Sequence, residues 1–292
     1  MKISVVVNTY NEEKNINRCL QSVKDFADEI ILVDMHSDDK TVEIARKFKA
    51  KVFQHEYTRF VEPARNFALA KATGDWILLL DADEELPETL FSKLKEISSS
   101  NTDYVRIPRK NIIFGKWITH CRWWPDYLIR FFKTGTVAFS DKIHVPPTAS
   151  GKAVELEAKE EYAIIHHNIQ TIFQYMERLN RYSDIQSSEL GKKGYVFSWK
   201  DVVNKPVNEF LSRYFAGEGY KDGIHGLALS LLQAFSEFVV YLKRWETENF
   251  PENETGDINK ILKKNINEVL YWQQKTTSNI FEKILYKIKG GL

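Results

Sequence analysis

Four short apolar segments, separated by amphipathic stretches, constrain the fold of the first hundred residues more than any other feature. They are Ile3–Val7, Ile30–Val33, Lys51–Phe53 and Trp76–Leu80. Uninterrupted apolar runs of this length are typical of parallel strands that are covered on both faces. Helices are expected between them, because Pro63 and Pro87 precede stretches with helical apolar spacing. The alternation predicts an α/β fold with a doubly wound, mostly parallel sheet.

The second half of the chain has a different pattern. Further strands are expected at Tyr104–Ile107, Ile112–Ile118 and Tyr127–Phe132, with helices at 168–190, 206–245 and 257–289. We therefore predict an α/β domain over residues 1–165 and a helical extension over 166–250. A basic amphipathic helical tail is predicted over 251–292.

Charge and cysteine content exclude some classes of protein. The chain has 41 Lys and Arg against 40 Asp and Glu, so it lacks the strongly basic character of a nucleic-acid-binding domain. Two cysteines cannot form a disulfide framework and favour a reducing compartment. No apolar run reaches the roughly 18 residues of a spanning helix. The expected location is cytoplasmic.

The C-terminal tail leaves two interpretations open. Residues 259–292 contain seven Lys and two Glu, with apolar residues at helical spacing. One interpretation is a helix pair packed on the domain with its lysines in solvent. The other is peripheral contact with an anionic membrane surface through these helices, at the inner face of the cytoplasmic membrane.

The segment Trp76–Glu85 carries the strongest chemical signal. Asp81 and Asp83 follow a buried strand, and ligands of α/β sheets bind at such carboxyl ends. Two carboxylates there can hold a divalent cation that binds phosphate oxygens. An acidic turn without a ligand is the alternative interpretation. Glu84 and Glu85 are expected to be solvated or to start a helix.

Other predicted strand ends are also polar. Residues 8–12 follow the first strand and could hold a base or ribose through the backbone. Asp34 follows the second strand and could accept a hydrogen bond from a nucleobase imide or a ribose hydroxyl. Its alternative role, a helix cap, fits Asp38 better. Arg65 starts a helix and could contact a base or phosphates, or form a surface ion pair.

Four segments together resemble glycosyltransferase family 2. They are the first strand, NTYNEEKNINRCLQSV, EIILVDMHSDDKTVEIA and PARNFALAKATGDWILLLDADEEL, in this order. Further segments, including WWPDYLIRFFKTG and the HHN at 166–168, resemble a bacterial subgroup that adds glucose or a related sugar to lipopolysaccharide core or other surface glycans. The resemblance implies a GT-A fold and an inverting transfer from a nucleotide sugar, with UDP-glucose as the expected donor. The acceptor would be a hydroxyl of a glycan or glycolipid, with residues 166–250 completing the acceptor side.

The resemblance also implies roles for individual residues. Thr9, Tyr10 and Glu12 would line the nucleoside site, Asp34 would hold the uracil, and Arg65 would lie near the base or diphosphate. Asp81 would face the ribose or the metal, and Asp83 would ligate Mg²⁺ or Mn²⁺, with His166 as a further metal contact. For His166 and His167 a structural role is the alternative.

An inverting transfer needs a general base for the acceptor hydroxyl. Asp126 is the first candidate, because its aromatic neighbours are a plausible sugar platform. Asp141 and His144 are the alternatives. In the subgroup the histidine is usually followed by Glu, but here Val145 follows it.

Two other functions remain as alternatives at this point. A nucleotidyltransferase acting on sugar phosphates would share a metal–phosphate site, although NTYNEEKN lacks the glycine-rich loop usual there. A non-catalytic nucleotide-binding scaffold is the second alternative, and the intact Asp81/Asp83 pair argues against it.

Overall fold

The computed structural model describes residues 1–58, 61–140, 145–252 and 255–290. The chain divides into two compact units. The first comprises Met1–Ile113 and Trp124–Asn168, and the second comprises Phe114–Trp123 and Ile169–Leu292. The predicted domain boundaries at residues 165 and 250 stay a prediction.

The secondary structure follows the order that the sequence suggests. The strands are β1 (Ile3–Thr9), β2 (Glu29–Asp34), β3 (Lys51–Gln54), β4 (Trp76–Asp81), β5 (Glu84–Glu85), β6 (Tyr104–Ile113), β7 (Lys116–Trp117), β8 (Asp126–Lys133), β9 (Val137–Ala138), β10 (Thr148–Ala149), β11 (Ala153–Glu155) and β12 (Ile164–Ile169). The helices are α1 (Ile16–Val23), α2 (Thr41–Lys47), α3 (Glu62–Leu69), α4 (Thr89–Ser98), α5 (Ile172–Lys192), α6 (Trp199–Leu211), α7 (Ile224–Thr247), α8 (Ile258–Thr276) and α9 (Ile280–Gly290).

The first unit is built on one large mixed sheet. Its strand order is β3-β2-β1-β4-β8-β6-β12-β5. The pairs β3–β2, β2–β1 and β1–β4 are parallel, whereas β4–β8, β8–β6 and β12–β5 are antiparallel. The predicted α/β class with a helical C-terminal extension is confirmed. Beyond the strands of the first hundred residues, the short β11 also pairs in parallel, with β6.

Apolar side chains cover both faces of the parallel strands. On β1, Val5 and Val7 pack into one core cluster with Leu20 of α1 and Leu94 of α4. Val6 packs into a second cluster, which includes Ala64 and Ala68 of α3. Alternate residues of a strand point to opposite faces, so these continuous apolar runs supply two cores. This arrangement leaves the carboxyl ends of the strands for polar residues.

One predicted strand is wrong. The segment predicted at Ile112–Ile118 is divided, because β6 runs to Ile113 and a turn follows at Phe114 and Gly115. Both turn residues have positive φ angles, of 51° and 77°. Glycine adopts such angles readily, and its position after Phe114 permits the reversal. The long β6 matters for the site because it carries Arg109 and Asn111.

The second unit is mainly helical. The helix expected to start at Pro206 begins earlier, at Trp199, and contains Pro206 within it. A break follows at residues 212–223, where Gly223 adopts a φ of 65° before α7. Helices α5 and α7 contact each other through Gln233 and Tyr175, whose side chains are 2.8 Å apart. Within the described residues, α7 is long and apolar enough to span a membrane, but core helices of other proteins can have the same length and composition.

Candidate active site

Strand register gathers polar residues at one edge of the parallel sheet. Asn8 of β1 is paired with Asp81 of β4, and Thr9 is paired with Asp34 of β2. All of these residues lie at the carboxyl ends of their strands, where open α/β sheets bind ligands. The structure therefore brings the predicted Thr9, Asp34 and Asp81 together.

Asp34 is almost completely buried and organises the turn that follows it. Its Oδ1 accepts a hydrogen bond from Ser37 Oγ at 2.5 Å, and its Oδ2 accepts one from the Ser37 N–H at 3.1 Å. Each carboxylate oxygen has more than one lone pair, so the group can also accept from a ligand. The start of α2 is held by Asp39, and not by Asp38, because Asp39 accepts from the Thr41 N–H at 2.8 Å.

Two tyrosines and Glu12 lie on the loops after these strands. The rings of Tyr10 and Tyr57 are 4.3 Å apart between centroids, and both side chains are exposed. Such a pair offers an aromatic face to a planar base. Glu12 has a structural contact, because its Oε2 accepts from Asn15 Nδ2 at 2.7 Å. Its carbonyl also accepts from the N–H of Ile16 at the start of α1.

Asp81 lies between two arginines. Its Oδ1 accepts from Arg65 Nη2 at 2.8 Å, and its Oδ2 contacts Arg130 Nη2. Burial alone would raise the pKa of Asp81, but the guanidinium groups of Arg130 and Arg65 outweigh burial and hold that pKa well below its usual range. Arg65 is therefore a buried partner of Asp81, and the surface ion pair considered for it is excluded.

Glu84 connects Asp81 to the antiparallel strands β6 and β8. Its side chain is fully buried, and its Oε1 accepts from Arg130 at 2.7 Å and from Arg109 at 3.2 Å. Its Oε2 accepts from the Asp81 N–H at 2.9 Å. The expectation that Glu84 is solvated or starts a helix is wrong, because the two arginines supply the charge that lets a carboxylate be buried.

Asp83 and His166 meet through the pairing of two short strands. β5 pairs with β12 so that His166 lies opposite Glu84, and the His167 N–H donates to the Asp83 carbonyl at 2.9 Å. His166 Nε2 is then 3.4 Å from Asp83 Oδ2. His167 turns to Glu85 and forms an ion-pair contact there. Two of the three predicted metal-binding residues are thus brought together.

Asp126 begins β8 opposite Arg109 of β6. Its Oδ2 accepts from Arg109 Nη2 at 2.5 Å and Nε at 3.0 Å, and from Asn111 Nδ2 at 3.1 Å. Its side chain is 28% exposed, which leaves it accessible to an acceptor hydroxyl. The other two candidates for the base, Asp141 and His144, lie outside the described residues.

Several buried polar atoms at the strand ends and on the two arginines that contact Asp81 have no hydrogen-bond partner among the described residues. They include both side-chain polar atoms of Asn8, Thr9 Oγ1, Arg65 Nη1 and Arg130 Nε. Buried polar groups in native proteins are nearly always paired, and exceptions point to an unseen ligand or water. Arginine donors in particular suit phosphate oxygens. The edge of the sheet therefore has the donors for an anionic ligand.

The site also fits a divalent cation whose remaining ligands come from a bound phosphate group. Among the described residues, no group of three or more His, Cys, Asp and Glu side chains could hold a metal. Mg²⁺, however, is usually bound through one or two carboxylates together with substrate phosphates. Asp83 provides one such carboxylate with the imidazole of His166 beside it, whereas both oxygens of Asp81 already contact arginines.

Sequence analysis did not identify Arg109, Asn111, Arg130 or Glu84 as part of this site. They lie in β5, β6 and β8 and not at the carboxyl ends of the predicted parallel strands. Arg130 had one visible signal, because a charged residue interrupts the apolar pattern of YLIRFF. Charged residues are almost never fully buried unless paired, so this position needed partners that the sequence does not name.

The chain is similar in sequence to known glycosyltransferases. Residues 4–182 match the family model described as Glycosyl transferase family 2. An uncharacterized glycosyltransferase of Rickettsia typhi is 31% identical over 249 residues, covering 82% of this chain and 85% of the relative. A lipopolysaccharide core biosynthesis glycosyltransferase, LpsC of Rhizobium meliloti, is 23% identical and covers 84% of this chain and 93% of the relative. Among solved structures, S. aureus TarS 1–349 covers 93% of this chain and 81% of that chain at 18% identity, with a TM-score of 0.44.

Proposed function

The chain belongs to glycosyltransferase family 2, and on this basis we propose that it transfers glucose from UDP-glucose to a hydroxyl of a glycan or glycolipid, with inversion at the anomeric carbon. Family membership supports a GT-A-type α/β enzyme and favours sugar transfer over nucleotidyl transfer. The name of the Rhizobium relative supports a role in lipopolysaccharide or another surface glycan. We place the enzyme in the cytoplasm, at the inner face of the cytoplasmic membrane.

One observation carries the proposal for the site. The side chains of Asp83 and His166 converge to 3.4 Å beside Asp81, whose guanidinium partner Arg65 has a buried donor without a partner among the described residues. A site that combines a metal-binding pair with arginine donors is suited to a nucleoside diphosphate. We assign the nucleoside to Thr9, Tyr10, Glu12 and Asp34, with Tyr57 beside Tyr10.

The proposed reaction is a single displacement. Asp126 takes the proton of the acceptor hydroxyl while the hydroxyl oxygen forms a bond to the anomeric carbon. The bond from that carbon to the diphosphate oxygen breaks, and its electron pair leaves with the nucleoside diphosphate. Arg65 holds the diphosphate, and Asp81 keeps Arg65 in place. A Mg²⁺ or Mn²⁺ ion bound by Asp83 and His166 would offset the negative charge that develops on the leaving group.

Replacement of Asp83 tests the metal assignment. We expect Asp83→Ala to lower Mn²⁺-dependent UDP release from UDP-glucose by at least a hundredfold, because one of two protein ligands is lost, while the far-UV circular dichroism stays unchanged. The measurement is UDP release across a panel of UDP-linked sugars, with Mn²⁺, Mg²⁺ or EDTA. Asp25→Ala, which removes an exposed carboxylate, is the matched control.

Three results would contradict the proposal. Near-normal turnover of Asp83→Ala would remove Asp83 from the metal site, and full activity in EDTA would remove the metal. Failure of the wild-type protein to release UDP from any sugar in the panel, despite binding UDP, would instead favour the non-catalytic scaffold.

A further inference from the structure

The side chain of Asn111 joins the two parts of the proposed site. It is completely buried on β6, and its Oδ1 lies 2.6 Å from His166 Nδ1. Its Nδ2 donates to Asp126 Oδ2 at 3.1 Å. One amide therefore contacts a proposed metal ligand on one side and the proposed base on the other.

The chemistry of these groups fixes the orientation of the amide. A carboxylate can only accept hydrogen bonds, so the amide NH₂ of Asn111 must face Asp126. The amide oxygen then faces His166, and this oxygen also accepts from Asn168 Nδ2 at 3.4 Å. Rotating the amide by 180° would place oxygen against carboxylate oxygen and lose these hydrogen bonds.

This orientation in turn fixes the tautomer of His166. A carbonyl-type oxygen at 2.6 Å requires Nδ1 to carry the proton. Nε2 is then the ring nitrogen available to a metal ion, and it faces Asp83 Oδ2 at 3.4 Å. A divalent cation between Nε2 and the Asp83 carboxylate would contact both groups, and histidines that bind metals typically donate their other N–H to a carbonyl or carboxylate.

We propose that Asn111 is a positioning residue that orients His166 for metal binding and at the same time holds the Asp126 carboxylate, so that it links metal affinity to the placement of the base. The inference rests on the proposed function, because it requires a divalent cation at Asp83 and His166. Arg109 contacts the same Asp126 oxygen, whereas Asn111 contacts both Asp126 and His166.

Two substitutions separate the two contacts. Asn111→Leu has a similar volume and removes both the acceptor for His166 and the donor to Asp126. Asn111→Asp keeps an acceptor for His166 but places a carboxylate against Asp126. Asn265→Leu removes another buried asparagine, in α8 of the second unit, and is the matched control.

The measurements are Mn²⁺ affinity, followed by isothermal titration in the presence of UDP, together with kcat for sugar transfer. We expect Asn111→Leu to weaken Mn²⁺ binding by about 10–100-fold and to lower kcat. We expect Asn111→Asp to bind Mn²⁺ as tightly as the wild type or more tightly, while its kcat falls at least tenfold. Asn265→Leu should change neither quantity.

The results that would overturn the inference differ from those that would overturn the proposed function. Wild-type Mn²⁺ affinity in Asn111→Leu would overturn the inference, as would equal losses of Mn²⁺ affinity and kcat in Asn111→Asp. If Asn111→Leu does not fold, the Asn111→Asp result decides alone. If the wild-type protein binds no Mn²⁺ with UDP present, the proposed metal site itself fails.

Discussion

Glu29, the first residue of β2, is a buried carboxylate that is surrounded by hydrogen-bond donors. It accepts from Ser4 Oγ at 2.5 Å, from Lys51 Nζ at 2.7 Å, and from the N–H and hydroxyl of Thr73, each at 2.7 Å. Burial alone would raise the pKa of Glu29, but these hydrogen bonds outweigh burial and hold that pKa well below its usual range. The charged form is therefore bound into the folded state.

The lowered pKa gives a stability prediction with a definite sign. A carboxylate whose folded pKa lies below its unfolded value stabilises the protein above the unfolded pKa, and this stabilisation is lost as the pH falls through the folded pKa. We expect Glu29→Gln to lower the free energy of unfolding by about 2 kcal/mol at pH 7. The difference from the wild type should shrink as the pH falls below about 4. Urea unfolding at pH 7 and at pH 3 measures both effects.

The control is Glu43→Gln, which removes an exposed carboxylate whose Lys47 partner is one helical turn away. It should leave the unfolding curve unchanged, because exposed ion pairs contribute little. A Glu29→Gln variant that is as stable as the wild type at pH 7, or whose deficit grows in acid, would contradict the role assigned to Glu29.

Single residues of the site differ in how far the sequence could predict them. Asp34, Asp81 and Asp83 follow strands with an unambiguous apolar pattern, so their position at a ligand-binding edge follows from the strands alone. Asn111 and Arg130 belong to antiparallel strands, where polar residues are common on a solvated face. Only the pairing of those strands with distant segments shows that these two side chains are buried.

At the level of elements, the turn between β4 and β5 is closed by the side chain of Glu84. Glu84 accepts from the Asp81 N–H and also pairs with Arg130 and Arg109. The turn is therefore held both to its own backbone and to β6 and β8. This contact fixes the direction in which Asp81 and Asp83 leave the sheet.

We expect Glu84→Gln to destabilise the protein by about 3–5 kcal/mol, because the buried guanidinium group of Arg130 and the partly buried one of Arg109 lose a negative partner. Chemical denaturation at pH 7 measures the change. Glu88→Gln, at an exposed position just before α4, is the control and should have little effect. A loss in Glu84→Gln no larger than that in Glu88→Gln would show that the arginines find other partners and that the turn does not depend on Glu84.

Elements were predictable where local pattern and tertiary environment agree. The strands β1, β2 and β4 show continuous apolar runs and β3 shows a shorter one, and the structure confirms all four. β5 is only two residues long and pairs with β12, some eighty residues later in the chain, so no local pattern could reveal it. The meeting of Asp83 with His166 depends on that pairing, which explains why the sequence suggested both residues but not their contact.

For the whole molecule, the near balance of 41 basic and 40 acidic residues hides an uneven distribution. Two acidic side chains of the site, Asp81 and Glu84, are paired with the buried Arg130, whereas the C-terminal helices carry seven Lys and two Glu over residues 259–292. On α8 the apolar residues Ile258, Leu262 and Ile266 are exposed at a spacing of four. An exposed apolar stripe on a basic helix is typical of helices that lie at a membrane interface.

We therefore predict that the protein binds vesicles containing anionic lipid and does not bind neutral vesicles at the same lipid concentration. Three neighbouring lysines of α8 are replaced in the variant Lys260→Gln, Lys263→Gln, Lys264→Gln. At about 1 kcal/mol per lysine near the surface, the triple variant should lower partitioning on the order of a hundredfold. Vesicle co-sedimentation at low and high salt measures this, and salt should weaken binding of the wild type.

A triple variant elsewhere on the chain separates this local effect from a general change in charge. Lys24, Lys47 and Lys49 are exposed in the first unit, and replacing them with Gln changes the net charge by the same amount. If binding follows the basic helix, this control should retain nearly all of it. Equal losses in both triple variants would mean that net charge alone drives binding, and binding to neutral vesicles would mean that the lysines are not required. In either case the α8 lysines would be assigned to solvent, as in the alternative interpretation of the tail.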